Sequence, residues 1–221
     1  MVVPAILEKN KAGVEEKLKL FKDLCNYVQI DIIDNWPEAE NTVGLKELKD
    51  FSLLSKFDKE IHLMVKNPIK YLDDCDQIGV KTVIAQIEFM DSQQKYLKKC
   101  RDLGLKAGLA LDLPTFLDKL DKKVLHQLDS CLLMSIKAGA QGRQFDKKVL
   151  GKIKRLVRIK KNLGLDFKIL LDGGVNDKTA KWCLANGVNQ LCVGSYLFKT
   201  DNVKTALKTL VDKNNSYSRS K

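Results

Sequence analysis

Apolar and polar positions follow two periods that alternate in a regular order along the chain. Short apolar and β-branched runs, typical of buried strands, alternate with longer amphipathic runs, typical of surface helices. The predicted strands are residues 2–7, 27–33, 60–65, 82–88, 106–111, 130–136, 167–171 and 190–193. The predicted helices that follow them are residues 12–24, 45–54, 68–77, 92–103, 115–128, 147–162, 177–185 and 203–211.

Eight strand–helix pairs predict a closed barrel. Strands separated by helices pair in parallel through right-handed crossovers, and eight such units close the sheet. Gly79, Gly104, Gly164 and Gly187 each stand just before a predicted strand, as expected for residues that end helices. An open doubly wound sheet is the alternative, but the chain lacks its glycine-rich fingerprint after the first strand. We therefore predict an α/β protein, a single-domain (β/α)8 TIM barrel over residues 1–212, with a disordered tail over residues 213–221.

The composition adds expectations about compartment and partners. The 221 residues are 44% apolar, include six cysteines with no CxxC pair, and contain no apolar run that could span a membrane. The first residues do not resemble a signal peptide, so we expect a cytoplasmic protein with reduced thiols and no membrane partner. The net charge of +11 is spread over lysine-rich helical faces. Residues 147–161 hold eight basic residues and no acid, but they lack interleaved aromatic residues, so nucleic-acid binding ranks last.

Polar residues near the carboxyl ends of the predicted strands are candidates for chemistry, because these ends converge on one mouth of a barrel. Alternation of period two places Gln29 and Asp31 on the same face of the second strand. His62 lies in the third strand, and Asp172 directly follows the seventh. Polar groups inside a barrel are costly unless they are paired or bind a ligand. A ligand site is therefore predicted, with a hydrogen-bonded core histidine as the alternative for His62.

Small residues follow each of the last three predicted strands. Barrels often bind phosphate in the loops after strands seven and eight, where small residues expose backbone N–H groups. Three such loops side by side favour a phosphate site over ordinary tight turns. The small residues are Gly139 and Gly142, Gly173 and Gly174, and Gly194 and Ser195.

Together these residues resemble the ribulose-phosphate 3-epimerase family of ribulose-phosphate-binding barrels, over residues 4–198. The segments that carry the resemblance are HLMVKNP (62–68), LLMSIKAGAQGRQF (132–145), DGGVN (172–176) and VGSYLF (193–198). The resemblance implies an isomerase of the pentose phosphate pathway that interconverts D-ribulose 5-phosphate and D-xylulose 5-phosphate. It also implies a small-molecule sugar phosphate as the partner and, since relatives are commonly dimers or larger, a homo-oligomer.

The resemblance implies roles for individual residues. Asp31 and Asp172 match the two catalytic acid/base groups, one removing the C3 proton of a ketopentose 5-phosphate and the other reprotonating the opposite face. A divalent metal, zinc first, with iron, manganese or cobalt as alternatives, would be held by Asp31, His62 and Asp172. The fourth metal position, a histidine in the family, is Gln29, whose amide oxygen is a weaker zinc ligand. The implied substrate-binding residues are Glu8, His62, Met64, Gly139, Ala140, Gln141, Gly142, Gly173, Gly174, Gly194 and Ser195.

Several residues near the implied metal depart from the family pattern. Glu8 replaces a serine that touches substrate, Gln86 replaces a histidine of the fourth strand, and Lys137 replaces an asparagine. Glu8 could compensate near Gln29 as an added ligand. Lys137 could bind phosphate, act as an electrophile or point to solvent. Because the changes at Gln29, Gln86 and Glu8 cluster at the reacting end, a catalytically impaired phosphosugar-binding homologue stays open as an alternative, as does an epimerase of another ketose phosphate.

Overall fold

Eight parallel strands form a closed barrel in the computed structural model, which describes residues 1–139 and 141–218. Each strand pairs with the next along the chain, and the last pairs with the first. The predicted single-domain (β/α)8 TIM barrel is therefore confirmed. The strands are β1 Val2–Ile6, β2 Tyr27–Asp34, β3 Asp58–Val65, β4 Thr82–Gln86, β5 Lys106–Leu111, β6 Ser130–Met134, β7 Lys168–Asp172 and β8 Gln190–Val193.

Helices surround the barrel, and two of the predicted ones are wrong. Residues 45–54 contain only short 3₁₀ turns, Leu45–Leu48 and the start of Leu54–Lys56. Residues 115–128 form two 3₁₀ segments, because Asp121 adopts an extended backbone between them and its side chain accepts a hydrogen bond from Lys123 N. The α-helices of the described residues are α1 Lys11–Lys19, α2 Leu72–Gln77, α3 Gln93–Asp102, α4 Lys148–Asn162, α5 Asp177–Ala185, α6 Ser195–Phe198 and α7 Val203–Ser218.

The last helix continues past the point where the sequence predicts a disordered tail. Helix α7 extends to Ser218, so residues 213–218 are helical, and residues 219–221 lie outside the described residues. The N-terminal amine of Met1 donates to the side chain of Asn214 at 3.1 Å, which ties this helix to the start of β1. None of the described helices is long and apolar enough to cross a membrane.

Apolar side chains form two layers, one between the strands and the helices and one inside the barrel. The inner layer consists largely of small or medium side chains, including Ala5, Ile84, Ala110 and Leu132. All six cysteines are free, and five of them are buried. Because the inner apolar layer is small, part of the interior is left to polar side chains, and these form the site described next.

Candidate active site

Four polar side chains meet inside the barrel. Parallel pairing of β2 with β3 places Asp31 beside His62, and pairing of β7 with β8 places Asp172 beside Cys192. Gln29 lies two residues before Asp31 and so faces the same interior. Gln29, Asp31, His62 and Asp172 are all buried. The structure thus brings together the residues that the sequence predicts for catalysis and metal binding.

The amide of Gln29 bridges the two aspartates. Its Nε2 donates to Asp31 Oδ1 at 2.7 Å and to Asp172 Oδ2 at 2.8 Å. These hydrogen bonds are made inside the barrel, where charge-assisted donors are strong because water is excluded. The N–H groups of Gln29 therefore stabilise two carboxylates that would otherwise repel each other.

His62 lies beside Asp31 and is held from both sides of its ring. Its Nδ1 is 3.3 Å from Asp31 Oδ1 and 3.8 Å from Asp172 Oδ2. On the other side, Nε2 is 3.3 Å from Nε2 of Gln86, which is buried in β4. The ring therefore presents Nδ1 to the carboxylates and Nε2 to Gln86.

The charges of this cluster are strongly coupled. Burial raises the pKa of Asp172, and the charge of Asp31 raises it further, while His62 and Gln29 act in the opposite direction. Burial lowers the pKa of His62, but the hydrogen bond and charge of Asp31, with the charges of Asp172 and Glu60, outweigh burial and raise it overall. The two buried carboxylates therefore repel each other when both are ionised, and a bound proton or cation would relieve this repulsion.

The donor set fits a divalent cation. Asp31, His62 and Asp172 each offer one ligand atom, and these atoms all lie within 4.8 Å of one another. Carboxylate oxygens and imidazole nitrogens are ordinary ligands of zinc and other divalent metals. The amide oxygen of Gln29, in the side chain that bridges the aspartates, is buried and has no hydrogen-bond partner in the described part of the chain. Asp31, His62 and Asp172 are thus the residues that would hold a metal.

A cleft at the mouth of the barrel connects this cluster with the glycine loops. Asp31 and Asp172 line it from below, and Met64 lines one side. The loops after β6, β7 and β8 line the rest. Seven residues of these loops that the sequence predicts to bind substrate contact the cleft: Gly139, Gln141, Gly142, Gly173, Gly174, Gly194 and Ser195.

The loop after β7 is packed too tightly for side chains. Gly174 has φ +59°, and a Cβ atom there would lie 2.6 Å from the backbone nitrogen of Phe145. Ser135 ties the loop to the end of β6, because its hydroxyl donates to the carbonyl of Asp172 at 3.0 Å and to that of Gly173. The loop therefore offers backbone to the cleft, as a phosphate held by N–H groups requires.

Two residues singled out from the sequence lie outside the cleft, and a third is not described by the structure. Glu8 lies 3.9 Å from Lys17 and its carboxylate packs over Gly13, on the helix side of the barrel. Leu7 lines the cleft, so alternation along the chain turns Glu8 away from it, and the expected ligand role near Gln29 is not supported. His62 is not among the residues that line the cleft, since it is fully buried beside Asp31. Ala140 lies outside the described residues.

Lys137 has a partner that the sequence did not reveal. Its ammonium forms an ion pair with Glu38, in the loop that follows β2. Its side chain is about half exposed and is not among the residues that line the cleft. Of the three roles considered for Lys137, none is as well supported as this contact between loops.

Apolar residues of the cleft were missed by the sequence reasoning, which considered only polar groups. Ala5, Leu7, Met134 and Ile136 all contact the cleft. Ala5 and Leu7 are two residues apart at the end of β1, and Met134 and Ile136 are two residues apart at the end of β6. Extending the period-two alternation of these strands would have identified them.

Comparison with known proteins identifies the family. The model of the ribulose-phosphate 3-epimerase family matches residues 1–198. The chain belongs to this family. Ribulose-phosphate 3-epimerase of Synechocystis is 30% identical over 94% of this chain and 91% of the relative. Ribulose-phosphate 3-epimerase of Escherichia coli is 28% identical over 94% of this chain and 92% of the relative. Ribulose-phosphate 3-epimerase of Methanocaldococcus jannaschii is 27% identical over 93% of this chain and 87% of the relative.

Solved structures of other enzymes share the fold of this ribulose-phosphate 3-epimerase family member. KGPDC of Streptococcus mutans superimposes with a TM-score of 0.71 at 13% identity, covering 98% of this chain and 97% of that one. The 3-hexulose-6-phosphate synthase of Salmonella typhimurium has a TM-score of 0.68 at 12% identity, covering 98% and 99%. At these identities the likeness concerns the barrel alone.

Proposed function

We propose that the protein is a ketose-phosphate 3-epimerase that interconverts D-ribulose 5-phosphate and D-xylulose 5-phosphate. The observation that carries this proposal is a single cleft with Asp31 and Asp172 at one part and the glycine loops after β6, β7 and β8 at another. The names of the family and of its relatives from Synechocystis and Escherichia coli support it.

Two carboxylates carry the proposed proton transfers. Asp31 and Asp172 belong to β2 and β7, which are separated in the barrel by β1 and β8, so they approach a bound sugar from different directions. One removes the proton from C3, and the other delivers a proton to the opposite face, which inverts the carbon. The side chain of Gln29 lies between both groups, with Nε2 2.7 Å from Asp31 Oδ1 and 2.8 Å from Asp172 Oδ2.

The glycine loops fix the other end of the substrate. Backbone N–H groups of the loops that contain Gly142, Gly174 and Gly194 bind the 5-phosphate in this proposal. Holding the phosphate and C3 in one cleft makes the proton transfers effectively intramolecular. Met64 and Met134 line the cleft between these ends and exclude water from the reacting carbon.

A divalent metal held by Asp31, His62 and Asp172 completes the proposed site. When bound, it supplies positive charge that stabilises the enediolate oxygens and so acidifies the C3–H bond. The mixed imidazole and carboxylate donors favour zinc, and iron, manganese or cobalt also suit them. Cytoplasmic location and assembly into a homo-oligomer stay predictions.

An epimerisation assay tests this function. Purified protein, stripped with a chelator and reloaded with zinc, manganese, cobalt or iron(II), should convert D-ribulose 5-phosphate into D-xylulose 5-phosphate with a coupled readout of the product. Inactivity with every metal, in protein that still binds the phosphosugar by calorimetry, would reject the proposal.

The second candidate is a phosphosugar-binding protein without turnover, and Gln29 at a histidine position is the observation that favours it. Such a protein would bind the sugar phosphate through the glycine loops but show no solvent exchange at C3. A third possibility, epimerisation of another ketose phosphate, is separated from the first by assaying hexulose phosphates alongside the pentulose phosphates.

A further inference from the structure

Two buried glutamines border the Asp31–His62–Asp172 cluster, and both leave their amide oxygens without hydrogen-bond partners among the described residues. These atoms are Oε1 of Gln29 and Oε1 of Gln86. Both residues are 0% exposed. Buried oxygens without partners are rare in folded proteins, because the loss of hydration is not repaid. Two of them border the same cluster, where each is available to a ligand or to a different amide orientation.

In the arrangement seen here, the contacts of Gln29 and His62 with the aspartates each place a nitrogen where a cation would otherwise lie. Gln29 Nε2 donates to both aspartates. His62 Nδ1 lies 3.3 Å from Asp31 Oδ1, which calls for a proton on Nδ1. A neutral ring then has a free lone pair on Nε2, and Gln86 Nε2, at 3.3 Å, is placed to donate to it. These contacts are mutually consistent, because each donor faces an acceptor.

A metal reverses the requirement at each of these contacts. The nitrogen of His62 that faces both carboxylates is Nδ1, so Nδ1 is the atom that would bind the cation and must give up its proton. The neutral ring then carries its proton on Nε2, which needs an acceptor. Gln86 supplies an acceptor by turning its amide over, since this exchanges Nε2 for Oε1. The same rotation at Gln29 replaces an N–H that would repel the cation with an oxygen that binds it.

We propose that Gln29 and Gln86 turn their amides over together when a divalent cation binds, so that Gln86 positions His62 by fixing its tautomer and Gln29 completes the ligand set. No net proton leaves the ring in this exchange, because the proton moves from Nδ1 to Nε2 through solvent. The inference rests on the metal use in the proposed function, but not on turnover. It assigns to this chain an acceptor for the metal-binding histidine, a contact that such histidines generally need.

Nitrogen NMR of the unmodified chain tests the tautomer directly. The chain has two histidines, and the other, His126, is exposed and serves as an internal reference. We expect the His62 ring to carry its proton on Nδ1 in chelator-treated protein and on Nε2 after addition of zinc. The same tautomer in both samples would overturn the proposal, and so would a failure of zinc to bind.

Cobalt binding to variants tests the role of Gln86 without any assay of turnover. Gln86→Met removes the acceptor and should weaken cobalt binding, followed by visible absorption, about 10- to 100-fold. Gln86→Glu can only accept when ionised and should bind cobalt at least as tightly as the unmodified chain. Equal affinities in all three proteins would reject the role of Gln86. Epimerase activity measured in the same samples separates the two proposals. An enzyme that is active without binding cobalt would support the proposed function and contradict the role of Gln86.

Discussion

Lys137 and Glu38 form an ion pair between loops that follow strands on opposite sides of the barrel, β6 and β2. The same two loops touch at a second point, where a Cβ on Gly139 would lie 2.7 Å from Cβ of Ala39. Trp36 supports this contact by packing edge-on against Phe89, with ring centroids 5.0 Å apart. The loop of residues 35–43 therefore reaches across the mouth of the cleft.

Reversing one charge of this pair should loosen the loop. In Lys137→Glu, two carboxylates repel each other, so amide hydrogen exchange in residues 35–43 should become faster than in the unmodified chain. The pair is largely exposed, so added salt should reduce the difference. The double variant Lys137→Glu with Glu38→Lys should restore slow exchange. Unchanged exchange in the single variant would mean that the apolar contact at Gly139 holds the loop alone.

Replacing either aspartate by asparagine should slow epimerisation strongly. Each variant should still exchange the C3 proton of one of the two epimers with solvent. Each base acts on one epimer, so loss of one leaves the other able to remove its own C3 proton. We expect kcat to fall about 10²- to 10⁴-fold in Asp31→Asn and in Asp172→Asn. In deuterium oxide, each variant should incorporate deuterium at C3 of one pentulose phosphate only, and the two variants should differ in which. Mass spectrometry and NMR of the recovered sugar provide the readout. Incorporation into both epimers in either variant would contradict the two-base assignment.

The sequence predicted the strands and the polar cluster better than the connections between strands. Eight apolar runs suffice to define a barrel, and closure alone brings Asp31, His62 and Asp172 together from distant segments. The residues 115–128 did not form the predicted helix because a local contact of Asp121 interrupts it. The partner of Lys137 depends on the path of a loop, which periodicity does not encode.

Gly174→Ala should impair phosphate binding and folding together. The position combines a positive φ of +59° with a Cβ that would collide with the backbone of Phe145 at 2.6 Å. Gly104→Ala is the matched control, because Gly104 has φ +70° and, apart from its chain neighbours, no described residue has an atom within 4 Å of the place where a Cβ would lie. Backbone strain alone should cost about 1 kcal/mol in the control, whereas the collision in Gly174→Ala should cost about 1–3 kcal/mol more. Denaturant unfolding measures both.

Substrate kinetics separate the two glycine variants further. Gly104→Ala lies before β5, away from the cleft, and should leave KM for the sugar phosphate unchanged. Gly174→Ala should raise it, because the displaced loop no longer presents its N–H groups to the phosphate. Equal KM values in two folded variants would show that the loop after β7 does not bind the phosphate.

Glu60 should make the protein less stable as the pH rises. It is buried at the opposite end of the barrel interior, where its carboxylate accepts hydrogen bonds from Tyr27 at 3.1 Å and from Gln190 at 2.6 Å. Burial raises its pKa from 4.5 to about 7, against the opposing effect of these bonds. Between pH 4.5 and about pH 7, folded Glu60 keeps a proton that the unfolded chain has released. The free energy of unfolding therefore decreases as the pH rises through this range, and the loss is complete above about pH 7. At ~1.4 kcal/mol for each pH unit, the total is about 3 kcal/mol.

Glu60→Gln removes this titration and keeps an acceptor for Gln190, and its amide N–H can donate to the hydroxyl oxygen of Tyr27. Its stability relative to the unmodified chain should therefore increase between pH 5 and pH 8, by up to about 3 kcal/mol. Urea unfolding at several pH values, with a chelator present, measures the difference, and Glu16→Gln at an exposed position serves as the control that should show no such trend. A stability difference that does not change with pH would mean that Glu60 is already ionised in the folded protein, with the hydrogen bonds of Tyr27 and Gln190 outweighing the cost of burial.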